Sequence, residues 1–150
     1  MYDRILVPTD GSPEVDPVVE HAVELARVHD AELHAIYVVN TAGYASLPAD
    51  SAIEGLGTML NDQGEGALDR VEELASGVTV ERVLVEGAPS KRIVEYAERE
   101  GCDLVVMGTH GRGGIDRLLL GSVAERVVRT SSVPVLTVRV EREEVDDADD

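Results

Sequence analysis

Gly108-Thr-His-Gly111, then nine residues, then Gly121-Ser122 lie between a strand-like apolar run and an amphipathic segment. Cys102-Asp-Leu-Val-Val-Met107 leads into the first glycine, and Val123, Ala124, Val127 and Val128 recur at helical spacing after the last. A chain that passes from strand to helix through glycines exposes backbone N–H groups at the helix start. The helix dipole is positive there, and the missing side chains let a bulky anion reach the main chain. Phosphate is the anion this chemistry favours.

Two better-known phosphate loops do not fit. A dinucleotide G-x-G-x-x-G begun at Gly111 and Gly113 needs a glycine where Asp116 stands, and no G-x-x-x-x-G-K-[ST] occurs. Lys91, the chain's one lysine, follows Gly87-Ala-Pro-Ser90 without a second glycine beside it. The stretch resembles the universal stress protein family in its nucleotide-binding branch, whose signature is G-x2-G-x9-G-[ST] after the fourth strand. Gly108, Gly111, Gly121 and Ser122 meet each fixed position. Ile5-Leu-Val-Pro-Thr-Asp10-Gly-Ser12 and Val133-Pro-Val-Leu-Thr-Val138 are similar to that family's first and last strands, so the resemblance spans residues 1 to 140.

The resemblance implies ATP, accompanied by Mg2+, as the ligand. Its contacts would be Pro8, Thr9 and Asp10 after the first strand, Val38 or its neighbour Val39 through the main chain at adenine, and Met107, Gly108, His110, Gly111 and Arg112 along the second loop. Gly121, Ser122 and Val123 would meet the triphosphate at the helix start. Asp10 can accept from ribose hydroxyls or hold the Mg2+, although an aspartate followed by Gly-Ser is also an ordinary turn former. Arg112 and Arg117 add positive charge beside the glycines, or pair on the surface with Asp116 and Glu125. His110 is within reach of a phosphate but has no evident partner in the sequence.

Composition narrows the alternatives. With 150 residues the chain is one domain, 1–140, followed by an acidic tail over 141–150 that has little to bury and is expected to be disordered. Four Tyr and no Phe or Trp leave the core to Val, Leu, Ile and Ala. The single Cys102 excludes an intrachain disulfide, and the four histidines show no metal-ligand spacing. No apolar run approaches the ~20 residues a membrane-spanning helix needs, and no signal-like segment opens the chain, which predicts a cytoplasmic protein.

The net charge is −17. The last ten residues hold seven acids against Arg142, so −11 still belongs to the rest of the chain. Such a surface repels nucleic acid and anionic membrane, both of which are bound by neutralising phosphates with Lys and Arg. One lysine among thirteen bases, with abundant Asp, Glu, Val and Ala, resembles a protein from a salt-accumulating halophile; an ordinary acidic cytosolic protein is the alternative.

The elements that must position the glycines alternate strand and helix. Ile5–Pro8 is a short apolar strand ending in Thr9-Asp10-Gly11-Ser12-Pro13, where Ser12 is placed to cap a helix and Pro13 to open it. Val15, Val18, Val19, Ala22, Val23 and Ala26 form the apolar stripe of that helix. A strand over Leu33–Val39 follows. Residues 51–76 read as a long helix whose first half is irregular or mobile, since four glycines each cost about 1 kcal/mol relative to Ala. Val78–Glu86 carries Glu81 and Arg82 and suits a sheet edge. A helix over Ser90–Glu100, a strand over Asp103–Met107, a helix over Gly121–Thr130 and a strand over Val133–Val140 complete the pattern.

This alternation predicts an α/β fold, one open five-stranded parallel sheet of Rossmann-like type with helices on both faces. The resemblance implies the strand order 3-2-1-4-5 and a homodimer paired through strand 5. Strands 1 and 4 would then flank the reversal of winding, where such sheets bind ligands. The reading that follows is a stress-response regulator that binds an adenine nucleotide and serves an unidentified protein partner. A slow ATPase in the same crevice and a nucleotide-free docking module are the alternatives.

Overall fold

The computed structural model describes residues 1–40, 50–109 and 121–140. Its strands are β1 (Arg4–Pro8), β2 (Glu32–Val39), β3 (Val80–Glu86), β4 (Leu104–Gly108) and β5 (Val135–Val138). They form one sheet in the order β3-β2-β1-β4-β5, parallel throughout. The helices are α1 (Asp16–His29), α2 (Asp50–Leu74), α3 (Pro89–Arg99) and α4 (Ser122–Thr130).

The two faces of the sheet explain why the central strands read as continuous apolar runs. Ile5, Leu6 and Val7 are all fully buried, because alternate side chains enter opposite cores. Ile5 and Val7 join Val18, Val19 and Ala22 of α1 and Leu68 and Val71 of α2. Leu6 joins Ile93 and Ala97 of α3 and Ala124 and Val127 of α4. Both expected faces are therefore covered.

Local chemistry sets the helix limits. Pro13 opens a short 3-10 turn, Pro13–Val15, and α1 proper starts at Asp16. Ser12 does not cap it as the sequence suggests, since its side chain is committed to Asp10 instead. Asp30 ends α1 in the left-handed conformation (φ 57°), which a short polar residue tolerates, and Ala31 N–H closes on Ala26 O.

Helix α2 runs unbroken over 25 residues, which overturns the expectation of an irregular first half. In the second half of the helix, tertiary packing accounts for one of its four glycines. At Gly64 a Cβ would lie 2.6 Å from Leu84 Cδ1 and 2.8 Å from Tyr37 Cδ1, so this glycine lets the helix approach β2 and β3. Arg82 on β3 ties the same helix down through Glu65 (2.6 Å), Asp69 (2.7 Å) and Glu72 (3.2 Å). Its strand does lie at an edge, as its charges predict. The other edge is β5, shorter than its apolar run suggests. Pro134 precedes that strand and accepts Val105 N–H at 2.9 Å.

Candidate functional site

Strand β1 pairs with β2 on one side and β4 on the other, with Ile5 opposite Leu104 and Leu6 opposite Val105. Beyond the carboxyl ends of β1 and β4 the chain leaves in opposite directions, α1 to one face and α4 to the other, which opens a crevice at the point of reversal. Each wall is a turn held by a few specific bonds.

The first turn is Thr9 to Ser12. Thr9 N–H donates to Ile36 O at 2.9 Å, which extends the β1–β2 ladder one residue past Pro8. Asp10 then closes an Asx turn, since Oδ1 accepts the Ser12 N–H at 2.9 Å and the Ser12 hydroxyl at 2.6 Å. Gly11 between them has φ 80°, a conformation in which a β-carbon is strained. The Asp10 carboxylate is thereby fixed at the strand end before any ligand arrives.

At the second wall the bonds are made by Thr109. Its N–H donates to Val138 O at 3.0 Å, its hydroxyl accepts Val140 N–H at 3.1 Å, and its carbonyl accepts Gly121 N–H at 2.6 Å. Thr109 therefore pins the start of α4 to the end of β4 and to β5. Gly121 is the N-cap residue with φ −65° and ψ 162°, an extended conformation any residue adopts. Its N–H is spent on Thr109, and Glu125 N–H is the first donor to enter the helix ladder, reaching Gly121 O at 2.8 Å. The N–H groups of Ser122, Val123 and Ala124 thus stay outside that ladder, with Ser122 exposed.

Side-chain direction sorts the remaining candidates. Val38 is half-buried and packs with Met107 in the α3/α4 core, whereas Val39 is 2% exposed in the α1/α2 core. Val38 accordingly shares a face with Met107 and with the start of α4. Pro8 and Gly108 close their strands, Gly108 opposite Val138. His110, Gly111, Arg112 and Arg117 lie outside the described residues. Thr109 was not anticipated, because no residue pattern announces a threonine whose three polar groups all reach distant backbone.

Four groups near the opposite, amino edge of the sheet have displaced ionisation. Asp103 is held below its usual range by the Arg4 and Asp3 N–H groups, and Glu32 by a hydrogen bond from His34. Burial pushes Cys102 up to about 11 and Tyr96 up to about 12. Cys102 is 5% exposed and behaves as the small core residue its position suggests. Among the described residues no helix is long and apolar enough to cross a membrane.

The model of the Universal stress protein family matches residues 1–139. The chain belongs to the universal stress protein family. Universal stress protein MJ0531 of Methanocaldococcus jannaschii is 42% identical over 146 residues, covering 96% of this chain and 86% of the relative. Among solved structures, MJ0577 superposes with a TM-score of 0.84 at 29% identity, covering 95% of this chain and 99% of that one. A universal stress protein solved in complex with cAMP superposes with a TM-score of 0.69 at 28% identity, covering 93% and 98%. The family's α/β fold is the fold found here, strand order included.

Proposed function

We propose that this family member is a regulatory protein that binds ATP with Mg2+ in the crevice between the β1 and β4 turns. The observation that carries the reading is the pinning of Gly121 to Thr109. It holds the α4 start, with the N–H groups of Ser122, Val123 and Ala124 outside the ladder, on the same face as Val38 and Met107. A nucleotide laid across that face would set adenine against Val38 and Met107, ribose near Asp10 and phosphates at the helix start. The cAMP complex of a relative at 28% identity supports an adenine nucleotide.

Asp10 fits Mg2+ as the single carboxylate that commonly joins phosphate oxygens in holding this ion. The ion would supply charge neutralisation for the phosphates. The family signature assigns Gly111 to the phosphate end, and His110 and Arg112, its neighbours in sequence, would flank the phosphates there. Occupancy would then act as a signal, shifting conformation or partner choice through differential binding. The dimer through β5, the unidentified protein partner, a cytoplasmic location and a halophilic setting belong to this same reading.

The test is mass spectrometry of acid-released ligand from purified protein, followed by calorimetry with ATP and Mg2+ on ligand-free protein. Ser122→Ala removes one hydroxyl donor to a charged acceptor and should weaken binding by ~1.5–3 kcal/mol, about ten- to a hundredfold. Gly121→Val should obstruct the phosphates sterically without backbone strain, because φ there is ordinary. Absence of ATP binding at millimolar nucleotide would overturn the proposal, and multiple-turnover phosphate release would make the protein an ATPase instead.

A further inference from the structure

The turn after β1 has a second side. Thr9 lies two residues beyond Val7 and, like it, faces the α1/α2 half of the molecule, where it lines a cavity of ≈ 330 Å³. Val15 and Val19 on one side and Ala67 and Val71 of α2 on the other supply apolar walls, and Asp16 and Arg70 supply charge. Neither Val38, Met107 nor the α4 start contributes, so among the described residues the cavity shares with the proposed nucleotide crevice only its first turn. The volume sits at the lower end of the range for small-molecule sites.

Two features define what would fit. Thr9 is 7% exposed; its oxygen accepts Gly11 N–H at 3.1 Å, and its hydrogen meets no acceptor among the described residues. A buried hydroxyl hydrogen lining a cavity calls for an acceptor. The charges are uneven as well, for Arg70 serves two carboxylates, Asp16 at 2.8 Å and Glu73 at 3.1 Å. A cation that takes Asp16 leaves Arg70 on Glu73, and every charge stays paired. A carboxylate that takes Arg70 instead strands Asp16 and adds a third negative group around one guanidinium, in a chain whose net charge of −17 already disfavours anions.

We propose that this cavity is a second ligand site, for a small primary-amine cation carrying one hydroxyl or carbonyl acceptor. The ammonium pairs with Asp16, the acceptor takes the Thr9 hydroxyl hydrogen, and the carbon chain lies against Val19, Ala67 and Val71. The proposal goes beyond nucleotide binding and stands without it.

Methyl-labelled protein titrated with 4-aminobutan-1-ol, butan-1-ol or butyrate tests this directly. Saturable methyl shifts at Val15, Val19 and Val71 are expected with the amino alcohol in the millimolar range. Asp16→Asn should weaken that binding about tenfold or more, with Arg70 still paired to Glu73. Ala67→Met fills the void from the wall, and its cooperative unfolding checks the fold; it should abolish the shifts. The proposal is overturned by butan-1-ol or butyrate binding as well as the amino alcohol, by shifts that persist in Ala67→Met, or by no saturation with the amine at millimolar concentration.

Discussion

Ser12 donates twice to one oxygen of Asp10, through its N–H at 2.9 Å and its hydroxyl at 2.6 Å. This pair of hydrogen bonds to one carboxylate oxygen makes the serine an orienting group for the turn and not the helix cap its position suggests. Ser12→Ala removes the hydroxyl and keeps the N–H, so the fold should persist with a loss of ~1.5–3 kcal/mol, the usual range for a hydrogen bond to a charged acceptor. Urea unfolding checks the loss, and full stability in the variant would show that the hydroxyl contributes nothing.

Gly64 and Gly66 offer a paired test in one helix. Exchange to Ala gains up to ~1 kcal/mol of helix propensity at either site. A Cβ at Gly66 meets nothing within 4 Å, so Gly66→Ala should stabilise by about that amount. At Gly64 the added carbon presses on Leu84 and on the Tyr37 ring, which is 7% exposed and has little room to move. Overpacking of ~1–3 kcal/mol outweighs the gain, and Gly64→Ala should destabilise. Equal melting temperatures for the two variants would refute the close approach of α2 to the sheet.

Asp103 gives a signed pH dependence. Its Oδ2 accepts Asp3 N–H at 2.6 Å and Arg4 N–H at 2.9 Å, and these bonds depress its pKa below the ordinary 3.8. A depressed folded-state value contributes stability above the unfolded pKa and loses it as pH falls through the folded one. Asp103→Asn should therefore cost stability at neutral pH, with the gap to wild type closing below pH 3.8. Thermal melts between pH 2 and 7 measure it, and a gap constant across that range would contradict this origin.

The proposed dimer has a specific test. Leu136 packs into the α1/α2 core, so a charge there would damage the fold as well as any interface. Carbonyls of Pro134 and Val138 face β4, which places the Thr137 N–H on the open side of β5 in a parallel ladder. Thr137→Pro removes an outward donor without touching the ladder. It should convert a dimer to monomer in light scattering while circular dichroism is retained. A wild-type monomer at micromolar concentration would end the dimer proposal.

Salt should raise stability. The charge of −17 repels itself, and that repulsion is screened as the Debye length falls from ~30 Å at 0.01 M to ~3 Å at 1 M. Removing residues 141–150 should diminish the effect only in part, because −11 remains. A melting temperature that does not change between dilute buffer and 2 M KCl would remove the halophilic reading.

The sequence by itself determined the alternation of strands and helices, the double burial of β1 and the edge position of β3. Those are local properties: Ile5-Leu-Val7 has no polar residue to turn outward, and Glu81-Arg82 cannot be buried on both faces. Only the tertiary structure decided matters that depend on chain segments far apart. Gly64 looks like a helix breaker until Tyr37 and Leu84 are placed beneath it. Val38 and Val39 are identical side chains, separated in role by the face each meets. Thr109 acquires its function from Val138, Val140 and Gly121, which the fold brings to it. Apolar periodicity records which residues are buried, but the partner of a hydrogen bond or the neighbour of a missing side chain is set by packing.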